Sequence, residues 1–146
     1  MRIALLDDQA LIRDALKIRL SLEADFSVTG TYTTSRELTE GLRTQPTDLL
    51  VLDYQLAAGE LDGLRLIQSI HLQHQYLRIV IYSAAENPAT INMCIRAGAK
   101  GFVGKSQETD ELLRAIRMAV QDRIYLAPAM AAELEKLPVP HWQKTV

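Results

Sequence analysis

The chain has one cysteine, Cys94, and so cannot form an intramolecular disulfide. That suits a reducing cytoplasm, and a lone thiol on a helical stretch reads as a packed core residue. No apolar run approaches the roughly 20 residues of a membrane-spanning helix. Residues 1–10 lead straight into a strand, without the pattern of a signal peptide. Charge of one sign is scarce too, with a net charge of only −2 and basic residues scattered along the chain. A nucleic-acid footprint is therefore not visible. The chain does have apolar content, 48% over 146 residues. This suffices for one packed domain with a short appendage and excludes a disordered chain.

The chain is organised around Asp53. Four apolar residues, Leu49 to Leu52, run unbroken between Asp48 and Asp53. A run this short with a β-branched member predicts a strand buried on both faces, as in a parallel sheet. Ile3 to Leu6 predicts another strand, ending in the pair Asp7-Asp8. Open α/β sheets bind ligands at the carboxyl ends of their strands. If these two strands are neighbours, three carboxylates meet at one small site.

The remaining chain alternates. A helical stripe of Leu11, Ile12, Ala15, Leu16, Ile18 and Leu22 follows the first strand. Val28 to Tyr32 predicts a strand, and Thr34 with Glu37 has the form of a capping box. Asp62 is a plausible N-cap for a helix carrying Leu64, Ile67 and Ile70. Ile79 to Tyr82 is strongly β-branched. Asn87-Pro88 starts a helix and Gly98 stops it. Gly101 to Val103 is a short strand, and Glu108, Asp110 and Glu111 open a last helix with Leu112, Leu113, Ile116, Ala119 and Val120 on its stripe. Five alternations of strand and helix predict an α/β fold: a doubly wound five-stranded parallel sheet with helices on both faces. Right-handed crossovers leave few topologies, among them the flavodoxin-like order 2-1-3-4-5.

Ser83 follows the fourth strand and Lys105 follows the fifth, so the same edge gathers three acids, a hydroxyl and an ammonium. Close carboxylates need a proton or a cation. Oxygen ligands without nearby histidine or cysteine suit Mg²⁺, which usually binds phosphate as well. A carboxylate can be the nucleophile in phosphoryl transfer. The residues therefore predict an aspartate that is phosphorylated with the help of Mg²⁺.

Asp7-Asp8, Asp53, Ser83-Ala84 and Lys105, each at its strand end, resemble the receiver domain of bacterial two-component response regulators over about residues 1–122. The resemblance implies that Asp53 is the phosphoacceptor and Asp8 a direct Mg²⁺ ligand. Asp7 would bind the metal directly or through water, and the backbone carbonyl of Gln55 would be a further ligand. Ser83 would contact the phosphoryl group, Lys105 would pair with it, and Phe102 matches the switch aromatic. Chemistry would be confined to the domain itself, by phosphorylation and autodephosphorylation, with no other enzyme activity. A sensor histidine kinase would be the partner and a homodimer the phosphorylated product. The first and fifth helices, through Leu11, Ile18, Leu112 and Ile116, are the favoured pairing face, ahead of the fourth helix.

The lettering Asp-Asp-Gln-Ala-Leu-Ile-Arg13 and Gly101-Phe-Val-Gly-Lys-Ser106 is most similar to the NarL/FixJ (LuxR-type) branch of transcriptional regulators. The expected domains are a receiver over 1–124 and, over 125–146, a linker or the start of a C-terminal helix-turn-helix effector. DNA would be reached only through that effector. Two features are this chain's own. Leu56-Ala57 stands where the family has Met-Pro, and the connection from Asp53 to Gly63 is slightly longer.

Other readings stay open: three solvated loop acids, a degenerate receiver that signals without phosphate, or a Mg²⁺-dependent phosphatase using an aspartyl phosphate. The phosphatase wants a general acid two residues beyond the nucleophile, where Gln55 stands. His71 and His74 share a helix face without an evident third metal ligand, and His141 and Trp142 lie in the tail.

Overall fold

The computed structural model describes residues 1–54, 63–84 and 87–126. Its elements are β1 (Arg2–Leu6), α1 (Ala10–Ser21), β2 (Ser27–Tyr32), α2 (Ser35–Thr44), β3 (Leu49–Leu52), α3 (Gly63–Gln73), β4 (Arg78–Ser83), α4 (Pro88–Ala97), β5 (Gly101–Gly104), α5 (Thr109–Val120) and β6 (Tyr125–Leu126). The sheet is parallel throughout, in the order β2-β1-β3-β4-β5-β6. The expected five-strand order is present. The addition is β6, too short to announce itself as a strand. It forms because Tyr125 N–H donates to the Lys100 carbonyl (2.9 Å) and the Tyr125 side chain buries beside α5.

Strand side chains alternate between two cores. Ala4, Leu6, Leu50, Leu52, Ile79, Ile81 and Phe102 face α2, α3 and α4. Ile3, Leu5, Leu49, Val51, Val80, Tyr82 and Val103 face α1 and α5. Both faces of β1, β3, β4 and β5 are covered, which explains their unbroken apolar runs. Each fully buried Leu or Ile contributes about 1.5–3 kcal/mol. The edge strand β2 is polar and irregular. Its register skips Thr29 opposite Ile3 and Ala4, and Thr29 Oγ1 is buried without a partner among the described residues.

Local signals behave as read. Thr34 caps α2 by accepting from Glu37 N–H (3.1 Å), while the Glu37 carboxylate accepts from Thr33 N–H (3.1 Å). Asn87 Oδ1 accepts from Thr90 N–H (2.8 Å), with Pro88 at the first helical position. Gly98 ends α4 at φ 122°, a conformation that favours glycine. The suggested N-cap Asp62 lies outside the described residues.

Two expectations about surfaces fail. The α1 stripe is not one face: Leu16 and Leu20 are buried, whereas Leu11, Ile18 and Leu22 are 84%, 67% and 71% exposed. On α5, Leu112 and Ile116 are fully buried against the sheet and cannot supply a pairing face. The apolar residues exposed on that side are Leu11, Ile18, Leu22, Val120 and Ile124.

Candidate phosphoacceptor site

Backbone hydrogen bonds bring the strand ends to one place. Asp53 N–H donates to the Leu6 carbonyl (2.9 Å), continuing the β1–β3 ladder one residue past β3. Asp7 N–H donates to the Tyr32 carbonyl (3.1 Å), and Lys105 N–H donates to the Ser83 carbonyl (2.8 Å). The acids therefore stand on the ends of paired strands, and their separation is set by strand spacing rather than by a loop.

One carboxylate oxygen from each of Asp7, Asp8 and Asp53 lies within 4.8 Å of the others. Asp7 and Asp53 are each only 3% exposed, and Asp8 is half-buried. Lys105 Nζ stands 3.0 Å from Asp7 Oδ2 and 3.5 Å from Asp53 Oδ2. Ser83, the last residue of β4, is fully buried beside it. One ammonium thus pairs with two of the three carboxylates. At such separations each like-charge pair costs on the order of a few kcal/mol, even with an effective dielectric of about 20.

Both oxygens of Asp7 are committed. Oδ1 accepts from Gln9 N–H (2.8 Å) and Oδ2 pairs with Lys105. The Asp7 carbonyl also accepts from Arg13 Nη1 (2.7 Å). Asp8 has no hydrogen bond or ion pair among the described residues, so its carboxylate is the one open to a new ligand.

Gln9 and Arg13 belong to the site and were missed in the sequence. Lys105 Nζ also donates to Gln9 Oε1 (3.4 Å). The clue was available: Gln9 and Arg13 stand four apart, on one face of the helix that starts at the acids. Tyr82, buried beneath the site, has its phenol held above the usual value by burial, with Lys105 lowering it and Asp7 raising it.

Asp7, Asp8, Asp53 and Lys105 are therefore brought together, with Ser83 at the neighbouring strand end. Phe102 is elsewhere, fully buried on the α2–α4 side of the sheet. Gln55 lies outside the described residues. Cys94 is buried and has no part in the site; burial pushes its thiol up to about 12.

The donor set fits a hard divalent cation. It is all oxygen, it carries excess negative charge, and it includes an uncommitted carboxylate.

A parallel sheet in this order, with acids at the ends of β1 and β3 and a lysine after β5, is the architecture of a signalling receiver. Residues 3–117 match the response regulator receiver domain family, and the chain belongs to it. It is similar to the transcriptional regulatory protein UhpA of Salmonella typhimurium, 27% identical over 132 residues, 90% of this chain and 65% of UhpA. It is also similar to the nitrate/nitrite response regulator protein NarL of Escherichia coli, 25% identical over 90% of this chain and 60% of that protein. Among solved structures, a two-component response regulator of the LuxR family from Aurantimonas superposes with a TM-score of 0.86. It is 25% identical and the match covers 92% of this chain and 95% of that one. These likenesses agree with the NarL/FixJ branch indicated by the lettering. The chain spans less than two thirds of the length of the curated relatives named here. No helix among the described residues is long and apolar enough to cross a membrane.

Proposed function

We propose that Asp53 accepts a phosphoryl group and that its phosphorylation switches the output of a longer transcriptional regulator. The observation that carries this reading is the buried Asp53 carboxylate, within 4.8 Å of two further acids and 3.5 Å from Lys105. A carboxylate oxygen of Asp53 attacks phosphorus, the bond from phosphorus to the donor's leaving group breaks, and an acyl phosphate forms. Lys105 offsets the charge gained at Asp53, and Ser83 stands at the adjacent strand end to hydrogen-bond a phosphoryl oxygen. Asp8, Asp7 and Asp53 would hold Mg²⁺, which supplies charge neutralisation of the phosphoryl oxygens when bound.

A histidine kinase of a two-component system is the donor this reading requires. Phe102 would serve as the switch residue, repacking with Ser83 between two states of which phosphate favours one. A phosphorylated homodimer would pair two copies through the α1 side, where Leu11, Ile18 and Leu22 are exposed. The residues after β6 would lead into a DNA-binding effector, in the cytoplasm. Intact-mass measurement after incubation with acetyl phosphate and Mg²⁺ tests the central step. Wild type should gain one phosphoryl group and Asp53→Asn none. Labelling of Asp53→Asn to the wild-type extent would overturn the assignment.

A further inference from the structure

The residue after Asp53 and the first residue of α3 are in contact. A Cβ built on Gly63 would stand 2.5 Å from Tyr54 Cδ2 and 2.6 Å from the Tyr54 carbonyl oxygen. A ring can rotate away, but that carbonyl belongs to the main chain one residue from Asp53. Gly63 is buried, and Tyr54 packs at the margin of the core between the sheet and α2–α4. Conformation does not explain the glycine, because Gly63 is helical and among the described glycines only Gly98 has a positive φ. Propensity alone would favour alanine at a helical position by up to about 1 kcal/mol. Space is the reason: nothing larger than hydrogen fits between α3 and the main chain at Tyr54.

We propose that Gly63 and Tyr54 form a clasp that positions Asp53 for phosphoryl transfer. The proposal rests on reading Asp53 as the phosphoacceptor. Asp53 is held from one side by its N–H bond to the Leu6 carbonyl. The clasp holds it from the other, through the peptide to Tyr54. The Tyr54 ring lies on the backbone of Gly63 and keeps that peptide from swinging. Gly63 and Tyr54 are positioning residues here; neither touches the reacting atoms. A methyl at position 63 must push the Tyr54 carbonyl away, and the Asp53 carboxylate moves with it. Reactive groups must be held to within about 0.5 Å, and a shift of about 1 Å costs on the order of a hundredfold in rate.

The test is the rate of phosphorylation by acetyl phosphate with Mg²⁺, followed by intact mass, alongside thermal midpoints. Gly63→Ala should still fold, with a midpoint lowered by the displaced main chain, and react roughly tenfold slower or more. Tyr54→Ala removes the ring without adding a clash and should be slowed by about threefold. The double variant should react like Gly63→Ala alone, because the main-chain carbonyl that the new methyl displaces is still there when the ring is gone. Gly101→Ala is the control. A Cβ there meets nothing nearer than 3.5 Å, and the rate should stay at the wild-type value. A wild-type rate in Gly63→Ala, or losses that simply multiply in the double variant, would overturn the clasp. If Gly63→Ala fails to fold, a wild-type rate in Tyr54→Ala does the same. Absence of an adduct on wild type itself would instead sink the phosphoacceptor reading, and the clasp with it.

Discussion

The two edges of the sheet carry similar residues in opposite arrangements. At the amino edge, Arg2 pairs with Asp48 and Arg78 with Asp122, one cation for each acid. The guanidinium of Arg2 donates to both Asp48 oxygens, at 2.9 and 3.1 Å, and the Arg2 N–H adds a third bond at 2.7 Å. These pairs are half in water, with the side chains of Arg2 and Asp48 50% and 36% exposed. At the carboxyl edge three carboxylates cluster, and one lysine pairs with the two that are almost fully buried. Matched, solvated charge is a surface feature worth about 1 kcal/mol or less per pair. Unmatched, buried charge costs stability, and its retention at strand ends marks a site kept for chemistry.

The largest effect that separates the edges concerns metal. Asp8→Ala removes the one carboxylate of the cluster with no partner of its own. Mg²⁺ affinity, followed by Tyr or Trp fluorescence or by calorimetry, should fall roughly tenfold or more. Asp48→Ala, an equal loss of charge at the other edge, should leave it unchanged. Equal affinities for wild type and Asp8→Ala would show that the cation is held elsewhere.

A smaller effect should reverse in sign between the edges. Without metal, Asp53 lies within 4.8 Å of two further acids as well as 3.5 Å from Lys105, and like charges so close oppose its ionised form. Asp53→Asn keeps the shape, removes the charge, and should stabilise the metal-free protein by about 1–2 kcal/mol, a rise of a few degrees in midpoint. Saturating Mg²⁺ stabilises wild type by binding only the folded state, so the gap should narrow or invert. Thermal unfolding with and without Mg²⁺ reads both numbers. A metal-free Asp53→Asn less stable than wild type would show that the cluster is not strained by its own charge.

Much of this was legible beforehand because it rests on short-range rules. Unbroken runs such as Leu49 to Leu52 name buried parallel strands, and parallel strands bring their carboxyl ends to one edge. The acids at those ends, and Lys105, follow directly. What failed depended on the third dimension. Apolar residues on α1 outnumber the positions that the sheet can cover, so Leu11 and Ile18 fall on one apparent stripe with the buried Leu16 yet lie in water, as the pairing face suggested for them requires. Leu112 and Ile116 read as a possible surface yet are the contacts that hold α5 down. Gln9 and Arg13 escaped notice because Gln9 reaches the Asp7 carboxylate with its main-chain N–H and Arg13 reaches the Asp7 main-chain carbonyl, so only their spacing hinted at the part they play. Gly63 entered the sequence reading only as the end of the connection from Asp53, and the approach of Tyr54 is what gives the glycine a reason.

The smallest effect lies at the matched edge and depends on pH. Hydrogen bonds from the Arg2 side chain, first, and its backbone N–H hold the Asp48 carboxyl down at about 2, against 3.8 for the free group. A folded-state value below the unfolded one contributes stability that is fully present above about 3.8 and is lost as pH falls through about 2. Asp48 is more than a third exposed, so solvent screening keeps the contribution below about 1 kcal/mol. Asp48→Asn should therefore lower the thermal midpoint near neutral pH by only a degree or two, roughly, and less in high salt. As pH is taken down through that window, the difference between wild type and Asp48→Asn should shrink towards zero, other titrations cancelling between the two proteins. A difference that persists at the acid end would mean that Asp48 acts through packing or its neutral hydrogen bonds. The contrast between the edges would then be one of burial alone, and no longer one of charge balance.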